Sequence, residues 1–172
     1  MNMSHIERTL FIIKPDGVER GVVGKIITLL EDRGLKIIAM KLTTASRELT
    51  EKHYGDLDVR LTKKGLDGPT IKSQMIDFLV SGPVVAMVIE GVKAVEYVKR
   101  LSGSTYPNES DLGTIRSMFG HVTRLQANDS GRAVRNLVHA SDPEEDPARE
   151  IALWFSTDEL VDYETVHQSH VW

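Results

Sequence analysis

Residues 8–14 read RTLFIIK, a nearly continuous apolar run that stops at Pro15. Because the run is short and rich in residues that favour extended backbone, it predicts a buried strand. Residues 82–91, GPVVAMVIEG, form a second run of the same kind and predict another buried strand. These two runs predict buried strands of a sheet, and the pattern of the surrounding segments indicates the fold class.

The surrounding segments alternate between helical and strand patterns. Residues 21–34 place apolar side chains on one helical face and end at a glycine, while residues 35–45 predict a strand. The remaining predictions are a short helix at 46–54, a loop at 55–69, helices at 70–81 and 92–103, turns at 104–117, no clear period at 118–133, a short strand at 134–141 and a helix at 142–155 capped by Asp142 and Pro143. This order favours helices packed on a mainly antiparallel or mixed sheet. The α+β ferredoxin-like βαββαβ sandwich fits once the short helices are treated as insertions.

The composition is that of an ordinary globular protein. The chain has 172 residues, of which 27% are charged, and a formal net charge of −4. This length suits one domain, and the negative charge argues against binding of nucleic acid through a basic surface. No cysteine is present, which excludes disulfides and thiolate chemistry. The first residues lack an apolar leader and no run reaches the ~18 apolar residues of a membrane span, so we expect a cytoplasmic protein without a membrane partner.

Cationic residues stand at two places where α/β folds keep ligands. Lys14 ends the first strand, immediately before the turn PDG, and Arg116 follows a glycine-bearing turn. Both side chains bind phosphate oxygens well, and Thr105 and Asn108 in the preceding loop add further polar groups. Each also has a plain structural interpretation, as a solvated turn lysine, a surface arginine and capping residues. The sequence G-x-x-x-x-G-K is absent, so a P-loop is not implied.

Residues 135–142, RNLVHASD, present one histidine, His139. A neutral imidazole is nucleophilic, and it can accept a phosphoryl group on one ring nitrogen when an acceptor holds the other. Glu150, on the next predicted helix, could be that acceptor, Ser141 could reinforce the pair, and Asn136 could bind a ligand hydroxyl. Taken alone, His139 could equally be a core histidine with one polar partner.

The chain as a whole resembles the nucleoside diphosphate kinase family. The stretches that carry the resemblance follow the family's order and cover most of residues 7–163: ERTLFIIKPDGVERGVVGKII, EKHYGDL, SGPVVAMVIEG, GSTYP, GTIR, RNLVHASD and REIALWF. Ala140 stands where glycine is common in the family. The resemblance implies the ferredoxin-like fold and a single domain over residues 1–172, with a core at 7–163 and a tail at 164–172.

The reaction implied by the resemblance is a ping-pong phosphotransfer. A nucleoside triphosphate, with ATP as the donor, gives its γ-phosphate to a histidine, and a nucleoside diphosphate then takes the phosphate. Mg²⁺ would bridge the phosphate oxygens, and we expect no metal ligand from the protein. The expected partners are therefore nucleotides and further copies of the chain, in a dimer-based tetramer or hexamer.

The resemblance also implies roles for individual residues. His139 would be the phosphorylated nucleophile, Glu150 would orient its ring, and Ser141 would support the pair. The residues that would bind the nucleotide are Lys14, Thr105 and Arg116 at the phosphates, Asn136 at the sugar 3′-hydroxyl and Tyr54 in the wall of the pocket.

Two segments are longer than the family pattern. Residues 58–74 replace a short stretch whose phenylalanine stacks on the nucleobase. The next aromatic residue is Phe78, which we expect in the core, so no stacking residue is assigned. Leu61 or Ile71 could offer an apolar face instead.

The second long segment, residues 117–134, lies where the family makes subunit contacts, which puts the usual assembly in doubt. The segment could also bring Arg124, Arg132 or Arg135 near the ligand. A third departure concerns the family's helical phosphate-binding arginine, whose position is taken here by Lys99. Arg100 is the next residue and lies about 100° further round the helix, so either side chain could bind phosphate.

Two other functions are compatible with the same fold. One is a catalytically lapsed nucleotide-binding or oligomeric scaffold of the same fold, but a scaffold does not need the whole set of site residues that this chain retains. The other is nucleic-acid binding by a ferredoxin-like sheet, which the net charge of −4 and the scarcity of aromatic residues disfavour.

Overall fold

The computed structural model describes residues 5–143, 146–166 and 168–172. In that part of the chain four strands form one antiparallel sheet in the order β2-β3-β1-β4. Their bounds are Ile6–Ile13 for β1, Lys36–Thr44 for β2, Pro83–Val92 for β3 and Val138–Ala140 for β4. With helices between the strands, this is the α+β ferredoxin-like arrangement that the sequence predicted, and the prediction is confirmed.

The helices occupy the connections and the C-terminal part of the chain. Their bounds are Pro15–Glu19 for α1, Val23–Glu31 for α2, Arg47–Tyr54 for α3, Leu57–Lys63 for α4, Gly68–Leu79 for α5, Ala94–Ser102 for α6, Ile115–Phe119 for α7, Arg124–Asp129 for α8, Pro147–Trp154 for α9 and Gln168–Val171 for α10. In the described residues none of these helices has the length and apolar character needed to cross a lipid bilayer.

The apolar run at the end of β1 is explained by cover on both faces of the sheet. Successive side chains of a strand point to opposite faces. Phe11 and Ile13 therefore pack in one cluster, with side chains of α2 and α6, while Leu10 and Ile12 pack in the other, with side chains of α3, α5 and α9. Since all four side chains are fully buried, no position of this strand end could be polar without cost.

The helix predicted at 142–155 begins later than its sequence suggested. The prediction placed the cap at Asp142 and Pro143, but α9 begins at Pro147 with Asp146 as its N-cap, whose side chain accepts a hydrogen bond from the backbone of Arg149 at 3.1 Å. The chain carries the pair Asp-Pro twice, four residues apart, so both pairs satisfy the same local rule. The prediction chose the wrong one.

Three other predicted segments differ in the structure. The predicted loop at 55–69 contains α4 and the start of α5, and the stretch without a clear period contains α8. The strand predicted at 134–141 is reduced to three residues, because Leu137 has a positive φ of 71° that leaves the extended conformation.

Candidate active site

Neighbouring strands bring the predicted site residues together. β4 pairs with β1 so that His139 lies opposite Ile12, two residues before Lys14. α9, which carries Glu150, packs against β1 on the face of the sheet to which Ile12 points. Arg116 lies at the start of α7. Residues far apart in sequence therefore meet at the end of the two strands.

His139, Glu150 and Ser141 form one hydrogen-bonded chain. Nε2 of His139 lies 3.2 Å from Oε2 of Glu150, and the hydroxyl of Ser141 donates to the same oxygen at 2.5 Å. The backbone N–H of Leu10 in turn donates to the Ser141 hydroxyl oxygen at 3.2 Å. The Glu150 side chain is 1% exposed and that of His139 is 18% exposed, so the imidazole is fixed from the buried side and open on the other.

The Glu150 carboxylate stays ionised at neutral pH. Burial alone would raise its pKa, but the hydrogen bonds from His139 and from the Ser141 hydroxyl favour the charged form and lower the pKa well below its usual range. An ionised carboxylate only accepts hydrogen bonds, so Nε2 of His139 carries the proton. The lone pair of this imidazole is consequently on Nδ1.

A second histidine, His53 of α3, packs against His139 and Glu150. Its ring meets that of His139 edge to face with centroids 4.5 Å apart, and its Nδ1 lies 3.5 Å from Oε1 of Glu150. The Trp154 indole N–H donates to the same Nδ1 at 3.4 Å. Burial, with the nearby His139 adding to it, lowers the pKa of His53 far below its ordinary value, so this ring is neutral.

Lys14, Asn136 and Thr105 form a second group on the open side. The Lys14 ammonium donates to Oδ1 of Asn136 at 2.8 Å, and the Asn136 amide donates to the backbone carbonyl of Thr105 at 2.8 Å. Burial, and next the positive charge of Arg116, lowers the pKa of Lys14 from 10.5 to about 7. This lysine is poised to change charge when an anion arrives.

Arg116 holds backbone rather than side chains. Its guanidinium donates to the carbonyls of Asn136 at 3.1 Å, Val138 at 2.8 Å, Gly103 at 2.7 Å and Ser104 at 3.1 Å. A guanidinium has five N–H groups, so these four hydrogen bonds leave one N–H without a partner among the described residues. In this conformation Arg116 ties the loop before Thr105 to the strand that carries His139.

The backbone of Leu137 is clamped by the turn that follows β1. Its N–H donates to Oδ2 of Asp16 at 3.0 Å, and its carbonyl accepts from the backbone N–H of Lys14 at 2.8 Å. Leu137 is fully buried and has the positive φ that costs a branched residue strain. The clamp therefore holds a strained residue two positions before His139.

The predicted site residues fall into three placements. Six of them belong to the hydrogen-bonded network described above. One group holds His139, Glu150 and Ser141, the second holds Lys14 and Asn136, and Arg116 bonds the backbone around both. Thr105 contributes its backbone carbonyl and has an exposed side chain. Tyr54 is buried in the cluster beside α3, 4.9 Å from the His53 ring between centroids, and burial raises the pKa of its hydroxyl.

Lys99 and Arg100 differ in where they point. The Lys99 ammonium lies 3.2 Å from Oδ2 of Asp142, next to Ser141, and its charge adds to the lowering of the Lys14 pKa. Arg100 is exposed. Of the two alternatives that the sequence left open, Lys99 is the residue turned toward the site.

The expectation that Phe78 belongs to the core is wrong. Its ring is only partly buried and belongs to neither hydrophobic cluster; it lies instead within 6 Å of two cations, Lys14 and Arg135. His53 and Asp16 also lie at the site, although the sequence did not predict a role for either. The one signal for each in the sequence was its closeness to a predicted site residue, since His53 directly precedes Tyr54 and Asp16 follows Lys14 by two residues.

Comparison with known proteins agrees with this geometry. The model of the family described as nucleoside diphosphate kinase matches residues 7–160. The nucleoside diphosphate kinase of Archaeoglobus fulgidus is 42% identical over 167 residues, which cover 97% of this chain and 98% of that protein. The enzyme of Pyrococcus horikoshii is 45% identical over 161 residues, covering 94% and 92%.

Solved structures of the same family share the fold. A transition-state mimic of the nucleoside diphosphate kinase of Borrelia burgdorferi, with bound vanadate and ADP, has a TM-score of 0.88 at 34% identity and covers 95% of both chains. The halophilic enzyme of Halobacterium salinarum in complex with CDP has a TM-score of 0.80 at 38% identity, covering 98% and 99%. With the family model matched over most of its length, this chain belongs to the nucleoside diphosphate kinase family, and it is a phosphotransferase.

Proposed function

We propose that His139 carries the phosphoryl group between the two nucleotides of the nucleoside diphosphate kinase reaction. Nδ1 attacks the γ-phosphorus of a nucleoside triphosphate, the bond to the β–γ bridging oxygen breaks, and the nucleoside diphosphate leaves. A terminal phosphate oxygen of a second diphosphate then attacks the phosphohistidine, and the N–P bond breaks. The observation that carries this assignment is the 3.2 Å contact between Nε2 of His139 and the ionised Glu150, which leaves Nδ1 as the nucleophile.

The phosphates are bound by the cations on the open side of His139. Lys14 and Lys99 supply two positive charges, and the exposed hydroxyl of Thr105 supplies a donor. Arg116 adds its one remaining N–H and keeps the Thr105 loop in place through the carbonyls of Gly103 and Ser104. Charge neutralisation and positioning of this kind are the main needs of phosphoryl transfer.

Asn136 is suited to a sugar hydroxyl. Its Oδ1 already accepts from Lys14 and its amide already donates to Thr105, so the side chain is held in one orientation. A carbonyl oxygen has two lone pairs, and the second can accept from the 3′-hydroxyl of a nucleotide. The same lysine then lies between the sugar and the phosphates.

The divalent cation of the reaction, which we propose to be Mg²⁺, fits a site in which the nucleotide supplies the ligands. Two carboxylates close to His139 in the fold are already engaged, since Glu150 bonds His139 and Ser141 while Asp142 pairs with Lys99. The two imidazoles of His53 and His139 beside Glu150 are donors typical of zinc rather than magnesium. Mg²⁺ keeps several waters and binds phosphate oxygens, so it can enter with the nucleotide and neutralise its phosphates there.

A phosphoenzyme assay tests the proposal. Incubation with γ-labelled ATP and Mg²⁺ should label the wild-type protein, and the label should be lost in acid and kept in alkali, as for phosphohistidine. His139→Ala should remain unlabelled, while the exposed His121→Ala is the matched control and should label normally. An unlabelled wild type, or equal labelling of His139→Ala, would refute the assignment.

We also propose that the chain assembles through the edge of β2 around Met40 and Leu42. The neighbouring stretch of the same edge is already covered, because the Ile38 carbonyl accepts a hydrogen bond from the Val161 N–H at 2.8 Å. This strand ends the sheet, and Met40 and Leu42 on it are 56% and 67% exposed. Edge strands with apolar side chains pair readily with a second chain. Light scattering after size-exclusion chromatography should show an oligomer for the wild type and a smaller species for Leu42→Lys. Leu66→Lys, between α4 and α5, is the control and should leave the oligomer unchanged. A monomeric wild type would contradict the proposed assembly.

A further inference from the structure

An aromatic ring stands outside the core at the entrance of the site. Phe78 lies near the end of α5, partly buried, with the Lys14 ammonium 5.9 Å and the Arg135 guanidinium 5.7 Å from its ring centre. Its neighbours Ile76 and Leu79 are buried in the core. The helix therefore turns one large apolar side chain away from the core and toward two cations of the site.

The ring lies where the two long segments of the chain meet. Gln74 precedes Phe78 by four residues, which places both on one face of α5. The Gln74 amide donates to the backbone carbonyl of Gly131 at 3.0 Å, and Arg135 follows four residues after Gly131. These contacts fix α5 and residues 131–135 against each other, so Phe78 and Arg135 form a built surface rather than two independent side chains.

The chemistry of this surface suits the uncharged part of a nucleotide. The face of an aromatic ring carries partial negative charge, so it attracts cations and disfavours phosphate. A phenylalanine ring also has no hydrogen-bonding group with which to recognise one base. Planar rings and the C–H surface of a sugar pack on an aromatic face and also on the plane of a guanidinium.

We propose that Phe78 and Arg135 form a wall that packs against the sugar and the adjoining part of the base of the bound nucleotide. The inference rests on the proposed nucleotide site at Lys14 and Asn136. Asn136, the expected sugar ligand, directly follows Arg135 and shares Lys14 with Phe78. The wall supplies, from a different position in the chain, an aromatic contact for a nucleotide whose expected stacking residue is missing.

Steady-state kinetics with several acceptor diphosphates tests the proposal. Phe78→Ala should raise the KM for the acceptor about 10-fold, the size expected from loss of one aromatic contact to a base. Phe78→Tyr should stay near wild type and Phe78→Leu should lie between. Because the ring recognises no specific group, the KM should rise by a similar factor for purine and pyrimidine diphosphates. Val59→Ala, exposed on α4 in the same long segment, should leave the KM unchanged.

Arg135 is tested in the same way. Arg135→Met keeps the length of the side chain and removes its charge, and it should raise the KM less than Phe78→Ala does. Arg132→Met, exposed in the same segment, is the matched control. In the double variant the two effects should not add, since each residue completes the surface of the other.

Three results would overturn the wall. One is a KM for Phe78→Ala within twofold of wild type, and another is a rise for only one class of base. The third is a fall in kcat at unchanged KM, which would mean that the ring acts by excluding water from Lys14. Circular dichroism and labelling of His139 show whether each variant is folded. Phe78→Leu is a second control for misfolding, because it keeps most of the apolar volume of the side chain. A wild type that fails to form the phosphoenzyme refutes the proposed function itself, whereas an active wild type with an unaffected Phe78→Ala refutes only the wall.

Discussion

Oε2 of Glu150 lies 3.2 Å from Nε2 of His139, and the same oxygen accepts the Ser141 hydroxyl at 2.5 Å. One carboxylate oxygen thus fixes the tautomer and the rotation of the reactive imidazole. The buried serine in turn keeps the carboxylate from rotating toward other donors. In the proposed reaction, His139 would therefore depend on two residues, Glu150 and Ser141, that act on its ring from the buried side.

Replacing Glu150 should slow phosphoryl transfer without abolishing nucleotide binding. Glu150→Gln keeps the shape but removes the charge, so the amide can present N–H to Nε2 and favour the wrong tautomer. We expect the rate of phosphoenzyme formation to fall on the order of 10- to 10⁴-fold, the range of orienting groups. Rapid-quench labelling with ATP measures the rate, and calorimetry with ADP checks that affinity changes little. An unchanged rate would show that Glu150 does not set the tautomer.

Asp16 is expected to position His139 through the backbone. Its carboxylate accepts the N–H of Leu137, whose left-handed conformation costs roughly 1–2 kcal/mol. Asp16→Ala removes that acceptor, so both kcat and the free energy of unfolding should fall. Asp16→Asn keeps an acceptor oxygen and should restore most of kcat, an outcome that a purely electrostatic role of Asp16 would not give. Kinetics and urea unfolding of the two variants provide the comparison.

Lys99 and Arg100 offer a matched pair of adjacent cations. Lys99 faces Asp142 at 3.2 Å beside the strand of His139, whereas Arg100 is exposed. Lys99→Ala should raise the KM for nucleoside diphosphates about 10-fold, the usual scale for one charge-assisted phosphate contact of about 1.5 kcal/mol. Arg100→Ala should change it less than twofold. A larger effect at Arg100 would reverse the assignment.

The fold could be predicted from the sequence because its signals are local and repeated. The runs at residues 8–14 and 82–91 are short, mostly apolar and rich in residues that favour extended backbone, which is typical of a strand covered on both faces. The start of α9 was mistaken because two Asp-Pro pairs satisfy the same capping rule. Local pattern decides the kind of element here, and tertiary contacts decide its end.

The surroundings of the site could be predicted only in part. His139, Lys14 and Glu150 are recognisable by residue type and motif, but the wall at Phe78 depends on a contact between Gln74 and Gly131, 57 residues apart. Nothing in the helical pattern of α5 states which segment will cover that face. Arg116 shows the same limit, since the sequence indicates a cation but not that four carbonyls occupy its donors.

The lowered pKa of Lys14 predicts that nucleotide binding takes up a proton in mildly alkaline solution. With a pKa of about 7, reached through burial and the charge of Arg116, Lys14 is mostly neutral at pH 8 in the free protein. A bound phosphate favours the charged form and raises the pKa, so the lysine gains a proton on binding. Uptake should therefore approach one proton at pH 8 and vanish near pH 6, where Lys14 is already charged.

Calorimetry of ADP binding in two buffers of different ionisation enthalpy measures that uptake. Lys14→Arg provides the control, because a guanidinium stays charged across this range and should bind ADP with no linked proton. The same lowered pKa also makes the free energy of unfolding depend on pH. Between about pH 7 and 10.5 the folded protein holds fewer protons at Lys14 than the unfolded chain, so this group's contribution to the free energy of unfolding increases as pH rises through that window. Equal proton uptake in wild type and Lys14→Arg at pH 8 would place the titrating group elsewhere.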